Sequence, residues 1–307
     1  MNISHFEAFL GTVPKQPVTR FAPSPTGYLH LGHVMSMAFV FGIAALVGAK
    51  ILLRIEDHDG ERCRKEYEKA ILDDMAWLGF IPANWNEFSL AKSDFRQSDC
   101  FDIYDAALES LSRRGKLYFC ECSRKHLIEG QESNELSYPG TCRFKNLVDG
   151  SKCGVRFVVD DHQESFHDIY LGAVKQNPFQ QCGDFLLKDK RGYFTYNFAV
   201  VLDDLRHGVN FIIRGEDILH CTGRQLALAH CFESSWKPAY LHHPLALDPE
   251  GKKLSKRIFS EGIIQRRLSG ELPENIIGEA LFHAGILSSK IPVRADEVEN
   301  FLRTAWC

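Results

Sequence analysis

The sequence predicts an α/β protein built on a doubly wound parallel sheet. A strand-like segment, VTRFAP at 18–23, is followed by a helical pattern from His33 to Val47 and then by a continuous apolar run, ILLRIED at 51–57. This strand, helix, strand order is typical of parallel sheets that helices cover on both faces. At 307 residues the chain also exceeds what one hydrophobic core usually serves, so two domains or a large insertion are expected.

After residue 57 the sequence predicts two helices and then a segment of a different kind. Apolar residues recur at helical spacing from Tyr67 to Leu78 and from Ile103 to Leu111, which predicts two amphipathic helices that cover the sheet. From 116 to about 190 the sequence changes to short β-like pieces broken by Gly, Pro and Asn. This change from helical patterns to short strand-like pieces predicts an insertion.

The sheet is predicted to resume after the insertion. FTYNFAVVLDD at 194–204 and VNFIIRGED at 209–217 have the apolar composition of buried strands, and a helical pattern from Gln225 to Phe232 follows them. Two further helices are expected near 273–284 and 294–304. The predicted division is a first half of a Rossmann-like domain (18–115), an insertion (116–183), the second half of that domain (184–257) and a short helical tail (258–307).

Composition and charge exclude several classes of protein. Hydrophobic residues at 45% and charged residues at 25% exclude disordered, collagenous and coiled-coil chains. A net charge of −4 gives no global cationic field, although a local basic patch is compatible with it. The first ten residues lack a signal-peptide pattern, and the apolar stretch Val34–Ala49 is shorter than the about 20 residues of a membrane span. We therefore expect a cytoplasmic protein with reduced cysteines, no membrane contact and a monomeric state.

The densest chemical signal lies where the first strand meets the first helix. Here RFAPSPTGYLHLGH runs from Arg20 to His33. Such a junction gathers free backbone N–H groups and the positive end of a helix dipole, which together bind anions. His30 and His33 add hydrogen-bond donors, and Gly32 allows close approach of a nucleotide. The combination suits phosphoryl transfer, although two structural histidines or a zinc-binding pair would also explain the His-x-x-His spacing.

A second signal is the basic segment GKKLSKR at 251–257. Residues 252–267 contain six basic side chains and one acid, a pattern that alone is typical of a solvated loop. Together with the first motif, however, the segment resembles the KMSKS loop of class I aminoacyl-tRNA synthetases, with Leu254 for Met and Arg257 for the last Ser. The His30 motif likewise resembles their HIGH signature, and its RFAPSPTG lead is similar to the glutamyl branch.

The resemblance implies a HUP-type nucleotide-binding fold and an adenylation reaction. In that reaction an amino-acid carboxylate attacks the α-phosphorus of ATP, and pyrophosphate leaves. His30 and His33 would be catalytic, Gly32 would contact ATP, and Lys253 and Lys256 would face the triphosphate. Magnesium would accompany the ATP. The resemblance also implies a glutamate site, whose matching residues are Arg20, Ser24, Glu56, Tyr196 and Arg214.

A third signal is Cys120-x-Cys122, followed by Cys142. Three cysteines within 23 positions suggest a tetrahedral zinc site, and three free buried thiols are the alternative. The small glutamyl-like synthetases carry one structural zinc in this insertion, so the resemblance adds Tyr138 as a fourth ligand. A zinc ion would stabilise a small β-rich insertion that cannot bury enough surface alone.

The chain has only 50 residues after Arg257, whereas glutamyl-tRNA synthetases continue into helical anticodon-binding domains. This shorter form resembles the glutamyl-Q-tRNA(Asp) synthetase family. The resemblance implies activation of glutamate without tRNA and its transfer to queuosine in the anticodon loop of tRNA(Asp). Two alternatives are a minimal glutamyl-tRNA synthetase that charges tRNA(Glu) and a catalytically silent RNA-binding paralogue. A NAD-binding enzyme is disfavoured because no G-x-G-x-x-G follows a predicted strand.

Overall fold

The computed structural model describes residues 11–123, 137–148, 152–245 and 261–306. Its strands are β1 (Val18–Phe21), β2 (Lys50–Leu53), β3 (Leu117–Cys120), β4 (Gly154–Phe157), β5 (Glu164–Asp168), β6 (Gly172–Gln176), β7 (Leu186–Lys188), β8 (Phe211–Gly215) and β9 (Ala239–His243). Its helices are α1 (Leu31–Val47), α2 (Lys65–Leu78), α3 (Phe101–Arg113), α4 (Pro178–Cys182), α5 (Tyr196–Arg206), α6 (Thr222–Ala229), α7 (Ile263–Leu268), α8 (Pro273–His283) and α9 (Val298–Trp306).

The central sheet confirms the predicted doubly wound fold. One ladder pairs β1 with β2 in parallel, and another runs in the order β6-β5-β9-β8, with β5, β9 and β8 parallel. The two ladders adjoin because the Asn210 backbone N–H donates to the Val18 carbonyl at 3.1 Å, and its side chain accepts from the Val18 N–H at 2.8 Å. The chain leaves β1 towards β2 on one side and leaves β8 towards β9 on the other. The β1–β8 junction is therefore a topological switch point, where open α/β sheets bind ligands.

Helix α1 occupies the centre of the main hydrophobic core. Gly48 ends it in the left-handed conformation (φ 66°) and donates its N–H to the carbonyls of Ala44 and Ala45. The C-terminal helices α8 and α9 pack against α1. A Cβ at Gly42 would lie 2.6 Å from Leu302 Cδ1, so the glycine permits the close approach of α9. No helix in the described ranges is long and apolar enough to cross a membrane.

A second, antiparallel sheet of β3, β4 and β7 lies within the segment predicted as an insertion and just after it. The hairpin β5–β6 also belongs to that segment, but it joins the central sheet through β9. Residues 116–183 therefore contribute to both sheets. The division into domains stays a prediction.

The segment 194–204 is not the strand that its apolar run predicts. It forms α5, which is buried on nearly all sides. A continuous apolar run fits a buried helix as well as a buried strand, and residue periodicity does not distinguish the two. The prediction was wrong for this reason. The helix matters for the site because it begins at Tyr196 and carries the buried carboxylates of Asp203 and Asp204.

Candidate active site

A buried network of ion pairs lies at the carboxyl ends of β1 and β2. Arg20 Nε donates to Asp204 at 3.0 Å, and Arg54 Nη1 donates to the same carboxylate at 2.6 Å. Arg54, which is fully buried, also donates to Glu56 Oε1 at 2.9 Å. Burial would raise the pKa of Asp204, but the two guanidiniums outweigh it and lower that pKa. Because a buried charge without a partner is costly, this network fixes Arg20 and Glu56 in place.

Arg214, at the end of β8, has a different set of partners. Its Nε donates to His242 Nε2 at 2.9 Å, its Nη1 to Gln225 Oε1 at 2.7 Å and its Nη2 to Thr222 Oγ1 at 2.7 Å. None of its partners among the described residues is a carboxylate. Each terminal nitrogen has one further N–H, since a guanidinium carries five donors. Arg214 is thus a cation only 5% exposed, with two donors left for a bidentate carboxylate.

The pKa of the Tyr196 hydroxyl depends on the charges of Arg20, Glu56 and Arg214. Burial raises its pKa most; Arg214 and Arg20 lower it, and Glu56 raises it. Tyr196 and the three charged side chains, all predicted to bind glutamate, are therefore close enough for those charges to act on the tyrosine. Ser24, the fifth predicted residue, is exposed on the loop after β1, where its carbonyl accepts the Thr26 N–H at 2.9 Å.

His30 and His33 cap the N-terminus of α1. His30 Nδ1 accepts the Gly32 N–H at 3.1 Å, and His33 Nδ1 accepts the His30 N–H at 3.1 Å. Burial lowers the pKa of both imidazoles, that of His33 to about 3. Both rings are consequently neutral at physiological pH, with the proton on Nε2. The capping bonds use Nδ1 of each ring and fix both imidazoles at the N-terminus of α1.

The described residues that flank the basic segment contact α1 and the residue before its cap. The predicted triphosphate-facing residues lie outside the described ranges; they are Lys253 and Lys256. Before the segment, His243 Nε2 lies 3.2 Å from Ser36 Oγ on α1. After it, the Ile263 N–H donates to the Leu29 carbonyl at 2.7 Å. Both flanks of the segment therefore contact the region where α1 begins.

Three cysteines and a tyrosine cluster at the end of β3. The sulfur atoms of Cys120, Cys122 and Cys142 lie within 4.8 Å of one another. The Tyr138 hydroxyl is 3.4 Å from Cys120 Sγ and 3.7 Å from Cys122 Sγ. Burial opposes ionisation of Cys120, but hydrogen bonding with Tyr138 and Arg156 lowers its pKa to about 7. The three thiols could hold a metal ion.

The residues that form hydrogen bonds around Arg20 and Arg214 were not predicted from the sequence. Arg54, Asp203 and Asp204 do leave a signal, because each is a charge inside an apolar run and charged residues are rarely buried without partners. Gln225 and His242 leave no comparable signal. Their contacts with Arg214 arise only when α6 and β9 pack beside β8.

Comparisons with known proteins agree with this geometry. The family described as tRNA synthetases class I (E and Q), catalytic domain, matches residues 16–286. The chain is 35% identical over 301 residues to the glutamyl-Q tRNA(Asp) synthetase of Nitratidesulfovibrio vulgaris, covering 93% of this chain and 92% of that protein. It is 37% identical over 267 residues to the glutamate–tRNA ligase of Francisella tularensis subsp. novicida, covering 84% of this chain and 55% of the ligase.

A structural relative supports the same assignment. The crystal structure of a glutamate tRNA ligase from Elizabethkingia meningosepticum superposes with a TM-score of 0.75 at 26% identity, covering 92% of this chain and 64% of that one. The chain thus spans nearly all of the glutamyl-Q relative, about half of the Francisella ligase and under two thirds of the superposed structure.

The depressed pKa of His33 predicts a pH-dependent stability. Between the ordinary pKa of 6.5 and about 3, the unfolded chain binds a proton at this residue and the folded protein does not. Stability therefore falls as pH falls. In His33→Gln the loss of unfolding free energy between pH 7 and pH 5 should be smaller by about 1–2 kcal/mol. Urea titrations at both pH values measure this, with the exposed His167→Gln as control; an unchanged loss in His33→Gln would contradict the assigned burial.

Proposed function

Because this chain belongs to the class I tRNA synthetases for glutamate and glutamine, we propose that it activates glutamate with ATP and transfers it to queuosine in tRNA(Asp). The family is one of ligases. The observation that carries the choice of glutamate is Arg214, a nearly buried guanidinium whose described partners are all neutral. The extent of the similarity to the glutamyl-Q relative supports the choice of tRNA.

The charges of the site complement glutamate. Asp203 is balanced by Arg206, which donates to it at 2.8 Å. Asp204 and Glu56 pair directly with Arg20 and Arg54. The buried carboxylate of Asp168 reaches Arg214 only through His242, so Arg214 is the guanidinium of the three that has no direct carboxylate partner among the described residues. The side-chain carboxylate of glutamate would bind Arg214, and its ammonium group would bind Glu56, where Oε1 is already held by Arg54.

Adenylation would take place at the start of α1. A glutamate carboxylate oxygen attacks the α-phosphorus of ATP, and the bond from that phosphorus to pyrophosphate breaks. His30 and His33 would donate Nε2–H to phosphate oxygens, and Gly32 would admit the nucleotide. Lys253 and Lys256 would neutralise the pyrophosphate, together with the Mg²⁺ that accompanies ATP. Such a site contributes positioning and charge stabilisation rather than covalent chemistry.

The cysteine cluster has the dimensions of a zinc site. Tetrahedral zinc with Zn–S bonds of about 2.3 Å separates two sulfurs by about 3.8 Å, and a sulfur and an oxygen by about 3.5 Å. The sulfurs of Cys122 and Cys142 are 3.6 Å apart, and the Tyr138 oxygen lies 3.4 and 3.7 Å from two of the sulfurs. Cys120, Cys122, Tyr138 and Cys142 would therefore hold one structural Zn²⁺. The ion would tie β3 to residues 138–142.

The proposed function predicts which RNA accepts glutamate. The protein should catalyse glutamate-dependent exchange of pyrophosphate into ATP without tRNA. With radiolabelled glutamate, the label should appear on tRNA(Asp) that contains queuosine and be absent from tRNA(Asp) that lacks it. Label on tRNA(Glu) would instead identify a minimal glutamyl-tRNA synthetase, and absence of exchange would favour a silent RNA-binding protein.

Loss of one proposed ligand should release the zinc. Cys142→Ser should reduce bound zinc well below one ion per chain and lower the melting temperature, because the ion links segments that are distant in sequence. Atomic absorption and thermal denaturation measure the two effects. Cys153→Ser, which removes a thiol outside the cluster, is the matched control. Full zinc content in Cys142→Ser would dismiss the site.

A further inference from the structure

We infer that Asp168 and His242 position Arg214 for its substrate, as a buried relay from the β5–β6 hairpin to the amino-acid site. The inference rests on the proposed role of Arg214 in binding the glutamate carboxylate. Neither residue would contact the substrate. Both act through the guanidinium, and both come from elements that the catalytic motifs do not include.

The hydrogen bonds of the relay fix its protonation state. His242 Nδ1 lies 2.6 Å from Asp168 Oδ2, and its Nε2 accepts from Arg214 Nε at 2.9 Å. Asp168 and His242 are both fully buried. Since a carboxylate only accepts, Nδ1 must carry the imidazole proton and Nε2 must be free to accept. A protonated imidazolium would instead direct an N–H at the N–H of Arg214, so the arrangement requires neutral His242.

The carboxylate at the start of the relay is itself held rigidly. Asp168 Oδ1 accepts the backbone N–H groups of Tyr170 and Leu171, each at 2.9 Å, in the turn between β5 and β6. Its Oδ2 also accepts the His242 backbone N–H at 3.0 Å. The side chain of Asp168 thus joins the hairpin to β9, and its orientation determines that of the His242 ring.

The imidazole spacer has a specific electrostatic consequence. A carboxylate paired directly with Arg214 would neutralise its charge, as Asp204 neutralises Arg20 through contacts with Nε. Through His242, Asp168 supplies negative charge near the buried cation while only Nε is engaged. The terminal nitrogens are held by neutral groups and retain donors for the substrate. The relay therefore stabilises the charge of Arg214 without blocking the position of its ligand.

The relay is tested by the steady-state kinetics of pyrophosphate exchange. In His242→Leu the KM for glutamate should rise at least tenfold while the KM for ATP stays unchanged, because the contacts that are lost hold Arg214 and its neighbours Thr222 and Asp168. His242→Gln, which can donate to Asp168 and accept from Arg214, should recover most of the lost affinity. Tyr240→Phe is the matched control in the same buried strand and should leave both KM values unchanged.

Two further outcomes separate the relay from general damage to the fold. If His242→Leu does not fold, Asp168→Asn should raise the KM for glutamate by a smaller factor, again without a change for ATP. An unchanged glutamate KM in a folded His242→Leu or Asp168→Asn, or equal rises for both substrates, would overturn the relay. Wild-type protein without any glutamate-dependent exchange would overturn the proposed function itself.

Discussion

The buried guanidinium of Arg214 is the constraint on which the site depends. Burial makes a cation costly unless its donors are satisfied and its charge is compensated. Here three neutral side chains satisfy one donor on each nitrogen, and no carboxylate among the described residues occupies the fork. Arg20 is equally buried, but Asp204 already neutralises it. The charge of Arg20 is therefore neutralised by a direct partner, whereas Arg214 retains an electrostatic preference for an incoming anion.

The fold places this cation and the start of α1, the proposed ATP site, on neighbouring elements. Both arginines lie on strands that border the topological switch point, and α1 begins beside the same crevice. The two histidines cap α1 through Nδ1, so the hydrogen bonds that start the helix also hold the rings in one tautomer. On the other side, α5 contributes Tyr196 at its first turn and Asp204 near its last. A carboxylate and a phosphate would thus meet at one edge of the sheet.

Local sequence predicted the first strand, helix and strand, the later amphipathic helices and the cysteine cluster, because each depends on residues close together in the chain. The clustering of the three cysteines is confirmed, and the identity of the metal stays a proposal. The supporting contacts were not predictable in this way. Arg20 and Asp204 are 184 positions apart, and Asp168 and His242 are 74 apart. The incorrect prediction of a strand at 194–204 also has a tertiary cause. Because α5 is buried on nearly all sides, its sequence lacks the apolar periodicity that identifies a helix.

The most direct test of this account compares glutamate with glutamine as substrates for pyrophosphate exchange. The two differ only by the charged carboxylate that Arg214 would bind. The wild-type protein should prefer glutamate strongly in kcat/KM, and Arg214→Gln should reduce that preference by about 10²-fold or more. If Arg214→Gln folds and discriminates between the two amino acids as well as the wild type does, Arg214 does not select the substrate and the account is contradicted.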